Sequence, residues 1–90
     1  MPAAGGKRYL VKVLPSAQRD LDDLDRPIVM RLADTLQALA EHPRPYGSVK
    51  LSADEGHRVR VGDYRILYRI DDHARTVFIY RIKHRREAYR

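Results

Sequence analysis

The sequence predicts a small α+β domain: a mostly antiparallel four-stranded sheet packed on one face by a two-helix hairpin, in the order β-α-α-β-β-β, with a short C-terminal tail or helix. Three observations carry this. Apolar residues recur at three- and four-residue spacing between Ala17 and Ala40. They alternate with charged residues beyond His57. Clusters of Pro, Gly and Asp separate the runs. Ninety residues make one domain, near the lower end of what a single apolar core holds together. Residues 1–7, with Gly5-Gly6, read as a flexible N-terminal tail, and residues 8–90 as the domain.

Tyr9-Leu-Val-Lys-Val-Leu14 is rich in β-branched residues and reads as the first strand. Pro15-Ser16 ends it, with Ser16 as the expected N-cap of a short helix whose stripe is Ala17, Leu21 and Leu24. Asp25-Arg26-Pro27 breaks that helix, and Pro27 suits the first turn of the next. Ile28, Leu32, Leu36 and Leu39, with Val29, Ala33 and Ala40, give the second helix a broad apolar face, which His42-Pro43-Arg44-Pro45 stops. Val49-Lys-Leu51 is a possible short strand, followed by a polar loop over 52–56. His57 to Val61 alternates so that Arg58 and Arg60 share a side. Gly62-Asp63 between two alternating runs reads as a hairpin turn. Tyr64, Ile66, Tyr68 and Ile70 then face one way and Arg65, Leu67 and Arg69 the other. Asp71 to Ala74 turns the chain into a last strand from Arg75 to Lys83, and residues 84–90 form the tail. A helical hairpin on one face leaves the other free for the arginines.

Composition excludes several classes of function. There is no cysteine, which removes disulfides, thiolate nucleophiles and sulfur-ligated zinc. The four histidines lie apart, so neither a metal site nor a cofactor is expected. No apolar run has the length of a membrane span and the start lacks a signal-type segment, so a cytoplasmic protein is expected. The formal charge of +6 is unevenly spread: residues 46–90 carry 11 Lys/Arg against 6 Asp/Glu. This polarity points to an anionic partner, a nucleic acid or an acidic protein.

The densest stretches are His57-Arg-Val-Arg-Val-Gly-Asp-Tyr-Arg-Ile-Leu-Tyr-Arg-Ile70 and Lys83-His-Arg-Arg-Glu-Ala-Tyr-Arg90. Arginines interleaved with β-branched and aromatic residues present cations on a rigid frame, the pattern of a surface that grips an RNA backbone. Arg58, Arg60, Lys83, His84 and Arg86 are the expected RNA-binding positions. Tyr64, Tyr68 and Tyr80 are read as core or sheet-packing residues. Arg69 and Arg75 are read as solvated or paired with Asp71 and Asp72, and a carboxylate such as Asp63 would engage Arg65 in a purely structural ion pair.

Order, length and these two motifs resemble the RelE/ParE superfamily of toxins from bacterial toxin–antitoxin pairs, over nearly the whole chain from Tyr9 to Arg90. In that superfamily RelE-like members are ribosome-dependent messenger-RNA nucleases, and ParE-like members poison DNA gyrase. The resemblance implies catalytic positions at Arg58, Arg60, Arg65, Arg85 and Tyr89, all held by suitable residue types, which favours the nuclease branch. It departs at Arg58 and Arg60, where the best-known nuclease has lysines. It further implies a cognate acidic antitoxin as partner, messenger RNA on the ribosome as substrate, and contact with DNA only through the toxin–antitoxin complex.

Metal-free RNA cleavage needs an activated 2′-hydroxyl, stabilised phosphorane charge and a protonated 5′-oxygen. Arg65 and Arg85 suit the second task, since a planar fork binds two phosphate oxygens. Arg58 and Arg60 would hold flanking phosphate or stabilise charge. Arginine is a poor base, so the base is open between Tyr89, which could instead stack on a nucleobase, and His84 or His57. The competing readings are a gyrase poison and an inactive toxin-fold subunit acting as co-repressor.

Overall fold

The computed structural model describes residues 8–52 and 55–86. The expected tail (1–7) and Tyr89 lie outside them. The elements are β1 (Leu10–Val13), α1 (Pro15–Asp22), α2 (Arg26–Glu41), β2 (Val49–Lys50), β3 (His57–Val61), β4 (Tyr64–Asp71) and β5 (Thr76–His84). They form one sheet of order β1-β5-β4-β3-β2, antiparallel except for the parallel pair of β1 with β5. The sheet thus has five strands rather than the expected four. The additional strand is the short Val49–Lys50 segment, whose two residues pair with Arg58 and His57. It lies within the Val49–Leu51 segment read as a possible short strand.

Both helices contribute to a single core. Ala17, Leu32 and Leu39 are buried with Val59, Ile66, Tyr68, Val77, Ile79 and Ile82 of the sheet, and Leu21, Leu24, Ile28 and Leu36 pack against them. Ala33, counted in the apolar face, is exposed. Ser16 is not the N-cap of α1. Leu14 holds that position and Pro15 the first turn, where its missing N–H and fixed φ are favourable. The Ser16 hydroxyl instead donates to the Tyr80 carbonyl at 2.6 Å.

That bond marks how the sheet edge is closed. β1 pairs with β5 only through Ile79, and beyond it no strand among the described residues lies beside that edge of β5. Side chains four apart on α1 take over. Ser16 bonds the Tyr80 carbonyl, and the Asp20 carboxylate accepts from the Ile82 N–H and the Arg81 Nε, both at 2.8 Å. An edge left unpaired would expose backbone groups to pairing with other chains or to costly burial.

At the same place β5 gains a residue. Leu67 pairs with Arg81 but Tyr68 pairs with Ile79, so Tyr80 is a bulge residue with no partner on β4. The bulge reverses the alternation of β5. Val77 and Ile79 are buried before it, and Ile82 after it. Strict alternation would have sent Arg81 and Lys83 into the core; the bulge turns them to the open face.

Candidate nucleic-acid interface

The register assembles the basic residues on the sheet face away from the helices. Arg60 of β3 stands opposite Arg65 of β4, and Arg65 opposite Lys83 of β5. The neighbouring row runs Arg58, Leu67, Arg81. Like charges directly opposite each other destabilise a sheet by roughly 0.2–1 kcal/mol per pair, so two such pairs in one line are not what stability alone would select. Between the strands runs a groove of about 470 Å³ lined by Arg58, Arg65, Leu67, Arg69, Tyr80, Arg81 and Lys83, with Leu51 and Glu55 at its side. A second hollow of about 320 Å³, lined by Gly47, Val49, Arg58, Arg60 and Arg65, shares two arginines with it and extends the track toward β2.

Arg85 occupies a different position. Its N–H bonds the Asp63 carbonyl at 2.7 Å and its guanidinium lies 3.8 Å from the Asp63 carboxylate, with both side chains well exposed. Asp63, the partner considered for Arg65, is therefore engaged with Arg85. Arg85 lines a separate open depression with Asp63, His84 and Arg86. The expected pair of Arg65 and Arg85 does not share one groove; Lys83 is the residue opposite Arg65.

Neither histidine candidate for the base lines the groove. His57 lies in register with the buried Tyr68 and stacks on it at 5.6 Å between centroids. Its Nδ1 is buried without a partner among the described residues. Burial first, and then the charges of Arg44 and Lys50, hold its pKa below the ordinary histidine value. His84 meets Tyr64 edge-on at 5.0 Å, and its Nδ1 accepts from the Arg86 N–H at 3.2 Å.

The tyrosines divide. Tyr68 is fully buried, its hydroxyl donating to the Pro43 carbonyl at 2.8 Å, and Tyr64 packs against the core. Tyr80 departs from the expected packing role and lines the groove. Its hydroxyl donates to the Glu55 carbonyl at 2.5 Å, and the Arg69 guanidinium sits 4.3 Å over its ring. Burial raises its pKa, so the phenol stays protonated and anchored. Asp72 pairs with Arg44 at 2.7 Å and accepts from the Tyr9 hydroxyl at 2.6 Å. Tyr80 and Arg81 are thus the groove residues that sequence reasoning missed. No periodic signal marks them, because the bulge interrupts the period of β5, whereas Leu67 lies on the face that alternation along β4 gives to Arg65.

The whole arrangement has known relatives. Residues 11–89 match the family described as the ParE toxin of the type II toxin–antitoxin system parDE. This chain belongs to the RelE/ParE toxin superfamily. Within it, Toxin RelG of Mycobacterium tuberculosis is 34% identical over 84 residues, covering 91% of this chain and 97% of the relative. Toxin RelE of the same organism is also 34% identical over 84 residues, covering 91% and 87%. The crystal structure of the toxin–antitoxin complex RelBE2 from M. tuberculosis superposes with a TM-score of 0.77 at 32% identity, over 86% of this chain and 91% of that one. The archaeal RelE–RelB complex from Pyrococcus horikoshii gives 0.77 at 25% identity, over 87% and 96%. The RelE-type names of these relatives agree with the branch that the basic motifs indicated, and the five-stranded sheet with its paired helices is similar to the solved RelE toxin structures. Among the described residues no helix is long and apolar enough to cross a membrane.

Proposed function

We propose that this RelE-family toxin is a metal-independent endoribonuclease that cleaves messenger RNA on the ribosome and so inhibits translation. The observation that carries the reading is the line Arg60, Arg65, Lys83 across three strands of an open sheet face. Such a line seats a phosphodiester and stabilises charge that grows on it, and preorganised positive charge is commonly the largest catalytic term.

In the proposed step the 2′-oxygen attacks the adjacent phosphorus, the bond from phosphorus to the 5′-oxygen breaks, and the products are a 2′,3′-cyclic phosphate and a 5′-hydroxyl. Arg65, with Arg58 beside it, holds the non-bridging oxygens, bidentate where the fork allows. Arg60 binds the flanking phosphate along the track toward β2. Lys83 is the one ammonium of the line and, unlike its guanidinium neighbours, can give up a proton and regain it, so it is assigned proton delivery to the 5′-oxygen. The 2′-hydroxyl proton passes to Tyr89 or to water. Arg85, Arg86 and His84 extend the cationic surface past the end of β5. A site with no strong base facing it among the described residues depends on orientation by the ribosome, which can supply much of the barrier reduction.

We assign neutralisation to an acidic antitoxin segment that covers this face. That the solved RelBE2 and RelE–RelB relatives are toxin–antitoxin complexes supports the assignment. The test is induction in cells with mapping of message 5′ ends. Cuts aligned with the reading frame, absent with Arg65→Ala, are expected. Double-strand DNA breaks with intact messages would overturn the proposal in favour of gyrase poisoning, and operator binding without growth arrest would overturn it in favour of a co-repressor.

A further inference from the structure

The groove changes character along its length. From the Arg65–Lys83 row it passes Leu67 and reaches Arg69 and the bulge residue Tyr80, with Leu51 at its side. We propose that this second end, formed by Leu51, Leu67 and the Arg69-covered ring of Tyr80, is a subsite for one unpaired nucleobase next to the phosphate seat; the assignment rests on the ribonuclease reading above.

Three features argue for a flat aromatic ligand there. The Tyr80 ring is held at both ends of its residue. Its hydroxyl is bonded to the Glu55 carbonyl and its own carbonyl to the Ser16 hydroxyl, so the position of the side chain is set before any ligand arrives. The guanidinium of Arg69 at 4.3 Å adds a planar cationic layer, and RNA-binding proteins stack unpaired bases on aromatic rings and on arginine planes alike. Leu67 lies two residues along β4 from Arg65, roughly 7 Å at strand spacing, a distance matching that from a phosphate to an attached base. The volume, about 470 Å³ for the whole groove, falls within the range of sites that enclose small ligands. An acidic peptide would account for the cations but not for a fixed planar wall above an apolar one.

The experiment compares a fluorescently labelled single-stranded RNA hexamer with hexamers abasic at one position, binding each to the full chain. Stacking of one base changes affinity by about 5- to 150-fold, so one abasic position is expected to weaken binding to that extent. In Arg69→Ala and Tyr80→Leu, confirmed folded by thermal melts, the intact-to-abasic ratio is expected to fall to near 1. Loss of charge alone would weaken both RNAs together and leave the ratio unchanged. Equal binding of intact and all abasic hexamers by the unmodified chain overturns the subsite and leaves the nuclease reading standing. Failure of every RNA to bind overturns both. If the variants keep their base discrimination but lose competition by polyglutamate peptide, the pocket belongs to an acidic protein segment instead.

Discussion

Arg65 on β4 stands directly opposite Lys83 on β5, so one cross-strand pair on the open face consists of two cations. In the proposed function this pair seats the scissile phosphate. Arg65→Ala and Lys83→Ala are each expected to lower the cleavage rate by about 10²–10³-fold, the usual scale for losing one preorganised charge-stabilising contact. Single-turnover cleavage on programmed ribosomes measures this. Wild-type rates in both variants would remove the phosphate seat from this row.

Arg60, opposite Arg65 on the other side, tests the stability half of the same argument. Arg60→Gln relieves a like-charge pair and is expected to stabilise the fold by about 0.2–1 kcal/mol, while weakening RNA binding. Urea unfolding shows it as a raised midpoint with unchanged slope.

Binding of single-stranded RNA is expected to depend steeply on salt. With Arg58, Arg60, Arg65 and Lys83 each neutralising a phosphate, the slope of log K against log salt should be about −3, at roughly −0.7 per contact. Removing any one of the four should make it shallower by about 0.7. Titrations at several salt concentrations give the slope directly.

Asp20 holds the bulge through the Ile82 N–H and the Arg81 guanidinium. Asp20→Ala leaves a backbone donor at the sheet edge unpaired and is expected to cost about 1–3 kcal/mol. It should also reduce RNA affinity, because the turn of Arg81 and Lys83 toward the groove depends on the bulge. Hydrogen exchange of the Ile82 amide reports the first effect, and RNA titration the second.

Acid stability should carry two distinct steps. The Asp72 carboxyl is lowered from 3.8 to about 2, first by its bond to Arg44 and then by that from Tyr9. Its folded value lies below the unfolded one, so its contribution is complete above about 4 and is lost as pH falls toward 2. His57 is lowered from 6.5 by burial, and the sign is the same: the neutral ring's contribution is present above 6.5 and lost below it. Asp72→Asn should flatten the stability profile between pH 4 and 2, and His57→Gln the slope beginning under pH 6.5. Thermal melts across this range separate them.

Most of the open face was legible in sequence because β3 and β4 alternate without interruption. Val59 and Ile66 face inward, which places Arg58, Arg60 and Arg65 outward. The helical stripes were legible for the same reason, apart from the exposed Ala33 and the misplaced N-cap, where Pro15 claimed the first turn. The short strand at Val49–Lys50 falls within the segment read as a possible strand, but the pairing of Arg85 with Asp63 was not legible, since it depends on a partner distant in sequence.

The sequence by itself determined the two periodicities, the basic second half and the face on which Arg58, Arg60 and Arg65 stand, because alternation along one strand is a local property. Only the tertiary structure decided that Lys83 and Arg81 join them and that Tyr80 leaves the packing role for the groove wall. The physical reason is the single extra residue in β5 where β1 ends. There the side chains of Ser16 and Asp20 satisfy the open strand edge, and the chain beyond it resumes its alternation with the faces exchanged.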